Sequence, residues 1–243
     1  MTARFFCPPP LVAGAEIALP SGAAHHAGQV LRLRAGDALT LFDGEGGEYD
    51  AQVARVTSKA VSVRVLERHA IERESPLRIM LVQSLIASER MDYAIQKAVE
   101  LGVLAIAPVA SARSVTRLEG TRVQRRLEHW QQIAIASCEQ CGRNRLPTVH
   151  APCELREWLK RPSKANLRIL LAPNASRSLG DLSAPAGAIE LLIGPEGGLA
   201  PEEETAALAA GFIAVRIGPR VLRTETAGPA MLAAMNALWG DWR

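Results

Sequence analysis

Five apolar runs separated by helical patterns occupy the chain from residue 77 onward. The runs cover residues 77–85, 104–110, 167–173, 189–195 and 214–219. The helical patterns cover 90–101 and 121–141, begin again at Pro201, and cover 226–239. Near-continuous apolar strands are typical of parallel sheets that are covered by helices on both faces. The sequence therefore predicts an α/β domain with a parallel sheet over residues 73–243.

The first 72 residues show a different pattern, that of short strands joined by tight turns. A glycine-rich turn separates predicted strands at 38–42 and 49–56, and valines alternate with polar residues in 61–65. The polar segment 72–76 ends in a proline, which favours a linker. We therefore predict a small β-barrel-like domain before the α/β domain. The predicted boundaries are 1–72 and 73–243.

Composition excludes several classes of protein for this chain of 243 residues. No apolar run approaches the roughly 18 residues that a membrane span needs, and Cys7 and Pro8 arrive before a signal-peptide core can form. Four cysteines are too few for a disulfide framework of this size. Cys138 and Cys141 form a single C-x-x-C with no second pair at zinc-ligand spacing. We expect a cytoplasmic protein with free thiols, without a membrane segment or a bound metal.

Positive charge is concentrated in one stretch. The net charge is only +3, but seven arginines and three glutamates lie between residues 113 and 145. The arginines are Arg113, Arg117, Arg122, Arg125, Arg126, Arg143 and Arg145. This stretch is either a surface that faces a polyanion or a solvated helix face.

The strongest functional signal is a set of three predicted strands that each end in a loop. The strand at 189–195 continues into Gly-Pro-Glu-Gly-Gly, another precedes Gly218, and a third ends at Pro173. Open α/β sheets bind ligands at the carboxyl ends of their strands, and glycine lets the backbone approach a ligand. The signatures of serine hydrolases, zinc proteases, P-loop proteins and dinucleotide-binding folds are absent. The pattern predicts a ligand pocket formed by the three loops.

Two long motifs resemble a known family. They are Leu-Ile-Gly-Pro-Glu-Gly-Gly-Leu at 192–199 and Gly-Pro-Arg-Val-Leu-Arg-Thr-Glu-Thr-Ala at 218–227, with a further match over 96–103. The chain resembles the RsmE family of 16S ribosomal RNA uridine-N3 methyltransferases, in the SPOUT superfamily, over nearly its whole length. The resemblance implies a PUA-like RNA-binding barrel followed by a methyltransferase domain with a deep trefoil knot. It also implies a homodimer whose substrate is 16S ribosomal RNA, either free or within the small ribosomal subunit.

The resemblance implies S-adenosyl-L-methionine as the cofactor, held mainly by main-chain groups of the three loops. The expected cofactor-binding residues are Leu171, Ala172, Pro173, Ile193, Gly194, Glu196, Gly197, Gly198, Ile217, Gly218, Arg220, Leu222 and Thr226. Contacts to RNA phosphates are expected from six arginines. These are Arg32, Arg113, Arg122, Arg125, Arg126 and Arg143.

Methylation of a uridine at N3 requires removal of the N3 proton, because the neutral imide nitrogen has no good lone pair. Glu196 and Glu225 lie on the two motif loops, and either could take this proton. Arg223 could stabilise negative charge that develops on the uracil oxygens. The sequence leaves the division of these roles open.

Two positions depart from the family pattern, and two other functions compete. Ala87 stands where family members usually carry a lysine, and Gly228-Pro229 suggests that the last helix begins a residue or two after 226. A non-catalytic RNA-binding or ribosome-assembly protein would use the barrel and the arginines alone. An α/β enzyme of other chemistry would use the pocket without the arginines.

Overall fold

A computed structural model describes residues 2–115 and 120–242 of the chain. The chain divides into two compact units. The first takes in the chain up to Glu74 together with Cys138–Leu146, and the second takes in Ser75–Ser137 and the chain from Pro147 onward. Arg117, one of the arginines in the basic stretch, lies outside the described residues.

The first unit is built on a five-stranded sheet. Its strands are β1 (Ala3–Phe6), β2 (Glu16–Ala18), β3 (Ala38–Phe42), β4 (Glu48–Val56) and β5 (Val61–His69), in the order β1-β3-β4-β5-β2. β3, β4 and β5 form an antiparallel meander, as the alternating sequence predicts. Val61, Val63 and Val65 are all buried, so this face of β5 lies in the core. The predicted strands of this region are confirmed.

A helical segment between β2 and β3 was not predicted. It comprises α1 (Ser21–His25) and a single turn of π-helix over His26–Val30, from which Ala24 and Ala27 are buried in the core of the unit. Neither piece is long enough to show a 3.6-residue period in the sequence. Arg32, directly after it, is a non-glycine residue with a positive φ of 54°.

Residues 138–146 belong to the first unit through buried polar contacts. The amide of Phe6 donates to Glu139 Oε1 at 3.0 Å, and Asn144 Nδ2 donates to the Ile71 carbonyl at 2.6 Å. Glu48 accepts hydrogen bonds from Arg4 and Arg73. Burial by itself would raise the pKa of the Glu48 carboxyl, but hydrogen bonds from Arg73, Arg4 and Asn144 outweigh it and lower the pKa to about 2.

The second unit is built on a sheet of eight strands, whose pairings are all parallel over the part of the chain that is described. The strands are β6 (Ile79–Ser84), β7 (Ala105–Ala110), β8 (Thr148–Val149), β9 (Cys153–Glu154), β10 (Leu167–Leu171), β11 (Arg177–Ser178), β12 (Ile189–Ile193) and β13 (Ile213–Arg216). Their order is β11-β13-β10-β12-β6-β7-β8, and β9 also pairs with β7. The predicted parallel sheet is confirmed.

Four of the five α-helices described in this part of the chain correspond to predicted helical patterns, whereas the short helix Leu155–Leu159 was not predicted. The five helices are α2 (Ser88–Glu100), α3 (Gly120–Cys141), α4 (Leu155–Leu159), α5 (Pro201–Ala209) and α6 (Thr224–Trp239). α2 ends at Glu100, and Gly102, which follows the C-cap residue Leu101, has a φ of 83° that is typical of the position after a helix C-terminus. α5 begins at Pro201, as predicted. None of the helices that the structure describes is both long enough and apolar enough to span a membrane.

The last helix begins earlier than predicted. α6 starts at Thr224, and the Arg223 carbonyl accepts hydrogen bonds from the amides of Thr226 and Ala227. The expectation of a start at 226 or later is therefore wrong. Pro229 lies inside the helix near its beginning, where it removes only one backbone hydrogen bond. Gly228 lies against β6 and β12, since a Cβ there would be 3.6 Å from Gln83 and 3.7 Å from Ile193.

Candidate functional site

A cavity of about 610 Å³ lies at the carboxyl ends of β10, β12 and β13. These strands are neighbours in the sheet, in the order β13-β10-β12. Parallel strands end at the same edge, so the three loops that follow them meet there. Segments 171–173, 193–199 and 217–225 all contribute to the wall. The sequence prediction that these three loops form one pocket agrees with this arrangement.

Twelve of the thirteen residues expected to hold the cofactor line this cavity. They are Leu171, Ala172, Pro173, Ile193, Gly194, Glu196, Gly197, Gly198, Ile217, Gly218, Arg220 and Leu222. Thr226 lies exposed in the first turn of α6, which begins at Thr224, and is not among the lining residues. Thr224 takes its place in the wall: it is buried, and its hydroxyl donates to the Gly194 carbonyl at 2.6 Å.

The glycines of the site are required for different reasons. Gly198 and Gly218 have φ values of 69° and 92°, a region that other residues rarely adopt. Gly194 is crowded instead, because a Cβ there would lie 3.3 Å from the amide nitrogen of Leu199. Gly197 meets only the side chain of Arg113, at 3.4 Å and 3.5 Å. A side chain at Gly197 is therefore less costly than one at Gly194 or Gly218.

Charged side chains from three elements meet at one side of the cavity. Arg90, on the first turn of α2, has Nη1 3.3 Å from Glu196 Oε1 and Nε 3.7 Å from Glu225 Oε1. The Glu225 side chain is 14% exposed and that of Glu196 27% exposed. Glu225 Oε2 is buried and has no hydrogen-bond partner among the described residues. Arg223 also lines the cavity and occupies the N-cap position of α6, where its side chain makes no capping hydrogen bond.

Sequence reasoning missed Arg90 as a site residue, although a signal was present. The helix that carries it begins four residues after β6 ends, at the edge of the sheet that holds the cavity. Gln83 was also missed. It is fully buried at the end of β6, and its Nε2 donates to Thr224 Oγ1 at 3.2 Å. Gln83 and Thr224 thereby connect β6, α6 and the carbonyl of Gly194 at the end of β12.

The cavity fits a nucleoside-containing cofactor such as S-adenosyl-L-methionine. Its volume lies in the range of about 300–1,000 Å³ that is typical of small-molecule sites. Leu170, Leu171, Ile193 and Leu222 supply apolar surface, and the strand ends supply main-chain donors and acceptors for a ring edge. The unpartnered Glu225 Oε2 is an acceptor that a bound donor could satisfy.

The six arginines expected to contact RNA have different environments. In the second unit, Arg122 and Arg125 are exposed on α3, Arg126 is half-buried on the same helix, and Arg113 is exposed in the loop after β7. In the first unit, Arg32 is exposed. Arg143 does not fit a phosphate contact: it is 4% exposed and donates to Glu74 Oε2 at 2.6 Å. This buried ion pair, rather than a solvent-facing position, explains the arginine at 143.

Cysteine thiols and metal-ligating side chains are two further kinds of candidate functional group in the chain. All four cysteines are free thiols. Burial raises the pKa of the Cys138 thiol to about 12, so it stays protonated and unreactive. In residues 2–115 and 120–242 no group of histidine, cysteine, aspartate and glutamate side chains is arranged to hold a metal ion.

Two family models match the chain. Residues 73–236 match a model described as an RNA methyltransferase domain, and residues 19–66 match one described as an RNA methyltransferase PUA domain. The ribosomal RNA small subunit methyltransferase E of Buchnera aphidicola subsp. Schizaphis graminum is 33% identical, over 93% of this chain and 92% of its own length. The protein of the same name from Mycobacterium bovis is 33% identical, over 94% and 89%.

Two solved structures are similar to nearly the whole chain. One is a ribosomal RNA small subunit methyltransferase E from Neisseria gonorrhoeae bound to S-adenosyl methionine, with 42% identity, a TM-score of 0.93 and complete coverage of both chains at 100%. The other is a protein from Legionella pneumophila described as a methyltransferase in complex with the bound cofactor SAM. It has 37% identity, a TM-score of 0.96 and 99% coverage of both chains.

Proposed function

Because the chain belongs to the ribosomal RNA small subunit methyltransferase E family, we propose that it transfers a methyl group from S-adenosyl-L-methionine to N3 of a specific uridine in 16S ribosomal RNA. The observation that carries the proposal is the cavity at the carboxyl ends of β10, β12 and β13. Twelve residues expected from the motifs, Glu196 among them, line it together with Glu225, Arg90 and Arg223.

Residues 1–72 act as a PUA-like RNA-binding domain, and residues 73–243 carry the cofactor and the chemistry. Support for an RNA surface on the first unit comes from the last residue of its π-helix and the two residues that follow it. Val30 and Leu31 are exposed at 61% and 44%, beside the exposed Arg32. Exposed apolar side chains next to arginines suit unstacked RNA bases and their phosphates.

The last part of the second domain forms the deep trefoil knot of SPOUT proteins. β13 follows β12 in the chain but lies on the far side of β10 from it. The chain then returns, since α6 packs against α2 and β12. This passage across β10 and back supports a knot, in which the returning segment would also pass through a loop of the preceding chain.

The protein works as a cytoplasmic homodimer. Support for the dimer is the exposure of two large apolar side chains, one after the C-terminal helix and one in the cavity loop. Trp242 is 54% exposed and Val221 is 77% exposed. Side chains of this size are often covered by a second copy in symmetric oligomers.

The reaction forms a bond from N3 to the methyl carbon, breaks the bond from that carbon to sulfur, and releases the N3 proton. When bound, S-adenosyl-L-methionine supplies the electrophilic methyl group on a positively charged sulfur. The chain must supply an acceptor for the proton and stabilise the negative charge that builds up on the uracil ring.

Glu225 suits the role of proton acceptor better than Glu196. Its side chain is less exposed, and its Oε2 has no partner among the described residues, whereas its Oε1 faces Arg90. Glu196 is the more exposed carboxylate and lies closer to Arg90. The guanidinium of Arg223 offers several N–H donors in a fixed geometry for a uracil oxygen. Arg223 directly precedes α6, the helix that carries Glu225.

Methylation of ribosomal RNA tests this proposal directly. Purified protein is incubated with radiolabelled S-adenosyl-L-methionine and either free 16S ribosomal RNA or small subunits, and the RNA is digested for mass spectrometry. We expect label in N3-methyluridine. Cofactor binding without transfer to either RNA would favour a non-catalytic RNA-binding protein. Absence of cofactor binding would favour an α/β enzyme of other chemistry.

A further inference from the structure

The glycine turn of the cavity is held in place by the loop that follows β7. Arg113, in this loop, donates from Nη1 to the Gly197 carbonyl at 2.9 Å and to the Leu199 carbonyl at 3.4 Å. Both acceptors belong to the turn between β12 and α5, which lines the cavity. The Arg113 side chain also packs on the turn, because the Cβ position of Gly197 is 3.4 Å from its Cδ.

A buried carboxylate makes a second connection between the same two segments. Glu203, on the first turn of α5, is only 3% exposed. Its Oε1 accepts from the amide of Ala112 at 2.8 Å, and its Oε2 accepts from the amide of Ala200 at 3.0 Å. One carboxylate therefore joins the residue before Arg113 to the end of the glycine turn. A carboxylate this deeply buried is stable only when both oxygens are satisfied, as they are here.

The loop itself is stiffened where Arg113 leaves it. The Ser111 amide donates to Ser114 Oγ at 3.1 Å, and the two hydroxyls are 3.0 Å apart. Arg113 thus projects from a closed turn rather than from a free segment. Its position relative to Gly197 is fixed by Glu203 on one side and by the Ser111 and Ser114 contacts on the other.

The turn from Gly194 to Leu199 contains three glycines and needs such support. Glycine loses more backbone freedom on ordering than other residues do, so an unsupported turn would weaken binding by the entropy of ordering it. Hydrogen bonds from a charged donor to two carbonyls hold the turn in one conformation before the cofactor arrives. The remaining face of the turn is then free to meet the ligand.

We propose that Arg113 is a positioning residue for the cofactor, and that it acts by holding the glycine turn in its binding conformation rather than by contacting RNA phosphate. This inference rests on the proposed function, because it takes the cavity to be the S-adenosyl-L-methionine site. Glu203 supports Arg113 by fixing the loop from which it projects. Nη1 of the guanidinium is committed to two carbonyls of the turn, and a phosphate at this nitrogen would compete with them.

Calorimetric titration of S-adenosyl-L-methionine into the full-length protein, without RNA, tests the inference. The variants are Arg113→Ala and Arg113→Lys, with Arg156→Ala as the matched control. Arg156 is exposed on α4 and does not line the cavity. We expect Arg113→Ala to weaken cofactor binding by about 10- to 100-fold, the range for lost hydrogen bonds from a charged group. Arg113→Lys should recover part of the affinity, and Arg156→Ala should match wild type.

Steady-state kinetics separates positioning from general damage. For Arg113→Ala we expect KM for the cofactor to rise in parallel with the loss of affinity, while kcat at saturating cofactor stays within about threefold of wild type. Glu203→Gln replaces one of the two carboxylate oxygens that accept from the amides of Ala112 and Ala200. This variant should therefore also raise KM for the cofactor. An unchanged melting temperature for Arg113→Ala shows that the variant is folded.

The outcomes that overturn the inference differ from those that overturn the proposed function. If wild type binds the cofactor and Arg113→Ala binds it equally well but loses RNA affinity, Arg113 is an RNA contact and the inference is wrong. If kcat falls while cofactor affinity stays constant, Arg113 does not act through the turn. If wild type itself does not bind S-adenosyl-L-methionine, the proposed function fails first.

Discussion

Replacing Gly218 with alanine should weaken cofactor binding through backbone strain alone. Gly218 has a φ of 92°, and a Cβ built on it would meet no atom within 4 Å. Steric overlap is therefore absent, and the cost comes from holding an alanine at positive φ. This cost is about 1–3 kcal/mol. Because segment 217–223 is largely exposed, the loop can relax when the cofactor is absent. The strain then appears on binding, as an affinity loss of about 5- to 150-fold.

Two other glycines provide matched controls in the same unit. Gly211 has nearly the same φ, 90°, and the same open surroundings, but it follows α5 and does not line the cavity. Its amide donates to the Leu208 carbonyl, so Gly211→Ala should strain the folded state and lower the melting temperature, by roughly 2–4 °C per kcal/mol. Gly180 has no positive φ and no close contact, so Gly180→Ala should change neither property.

Isothermal titration calorimetry and thermal melting on the three variants decide the matter. We expect weak cofactor binding with near-normal stability in Gly218→Ala, normal binding with reduced stability in Gly211→Ala, and wild-type behaviour in Gly180→Ala. Wild-type cofactor affinity in Gly218→Ala, combined with the expected loss of stability in Gly211→Ala, would refute the idea that the conformation of Gly218 shapes the site.

Three further predictions concern RNA binding, the chemical step and the effect of pH on stability. The double change Arg125→Glu and Arg126→Glu on α3 should weaken RNA binding and reduce its salt dependence, while calorimetry shows unchanged cofactor affinity. Arg223→Lys should lower the single-turnover rate by roughly 30- to 1,000-fold. If Glu225 accepts the N3 proton, Glu225→Gln should be slow at neutral pH and should regain methylation activity as the pH rises toward the ionisation of the uracil imide. Equal pH profiles for wild type and Glu225→Gln would transfer that role to Glu196. Because the pKa of Glu48 is lowered from 4.5 to about 2 in the folded protein, its stabilising effect is fully present above its unfolded pKa and is lost as pH falls toward 2. The free energy of unfolding of wild type should therefore fall by about 3 kcal/mol more than that of Glu48→Gln over this range in urea titrations.

The sheet of the second unit and the place of the cavity could be predicted from the sequence. Each of the five apolar runs becomes a parallel strand, and β12 (Ile189–Ile193) is buried at every position, whereas β10 and β13 are only partly buried. The carboxyl end of such a strand has a known location in the fold, so the glycine-rich loop after it marks the pocket. This is why twelve of the thirteen expected cofactor residues line the cavity.

Residues whose roles depend on packing between distant segments could not be predicted. Arg143 looks like part of a basic helix end in the sequence, but it is buried against Glu74, a residue 69 positions away. Thr226 and Thr224 are equally good candidates in the motif, and only the start of α6 separates them. Arg90 belongs to the site because α2 begins beside two carboxylates that come from other loops. Local patterns do not specify such pairings, and for Arg90 they indicate only that α2 begins at the edge of the sheet that holds the cavity.

The arginines of the basic stretch need separate tests, because their environments in the structure differ. In the sequence, Arg113 and Arg125 are members of one run of positive charge, and a scan that replaced every arginine would treat them alike. In the structure, Arg125 is exposed on α3, whereas Arg113 donates to the turn that lines the cavity. Loss of methylation in Arg113→Ala would then reflect a displaced cofactor and would be misread as lost RNA contact. Cofactor affinity therefore has to be measured for each arginine variant before any loss of activity is assigned to RNA binding.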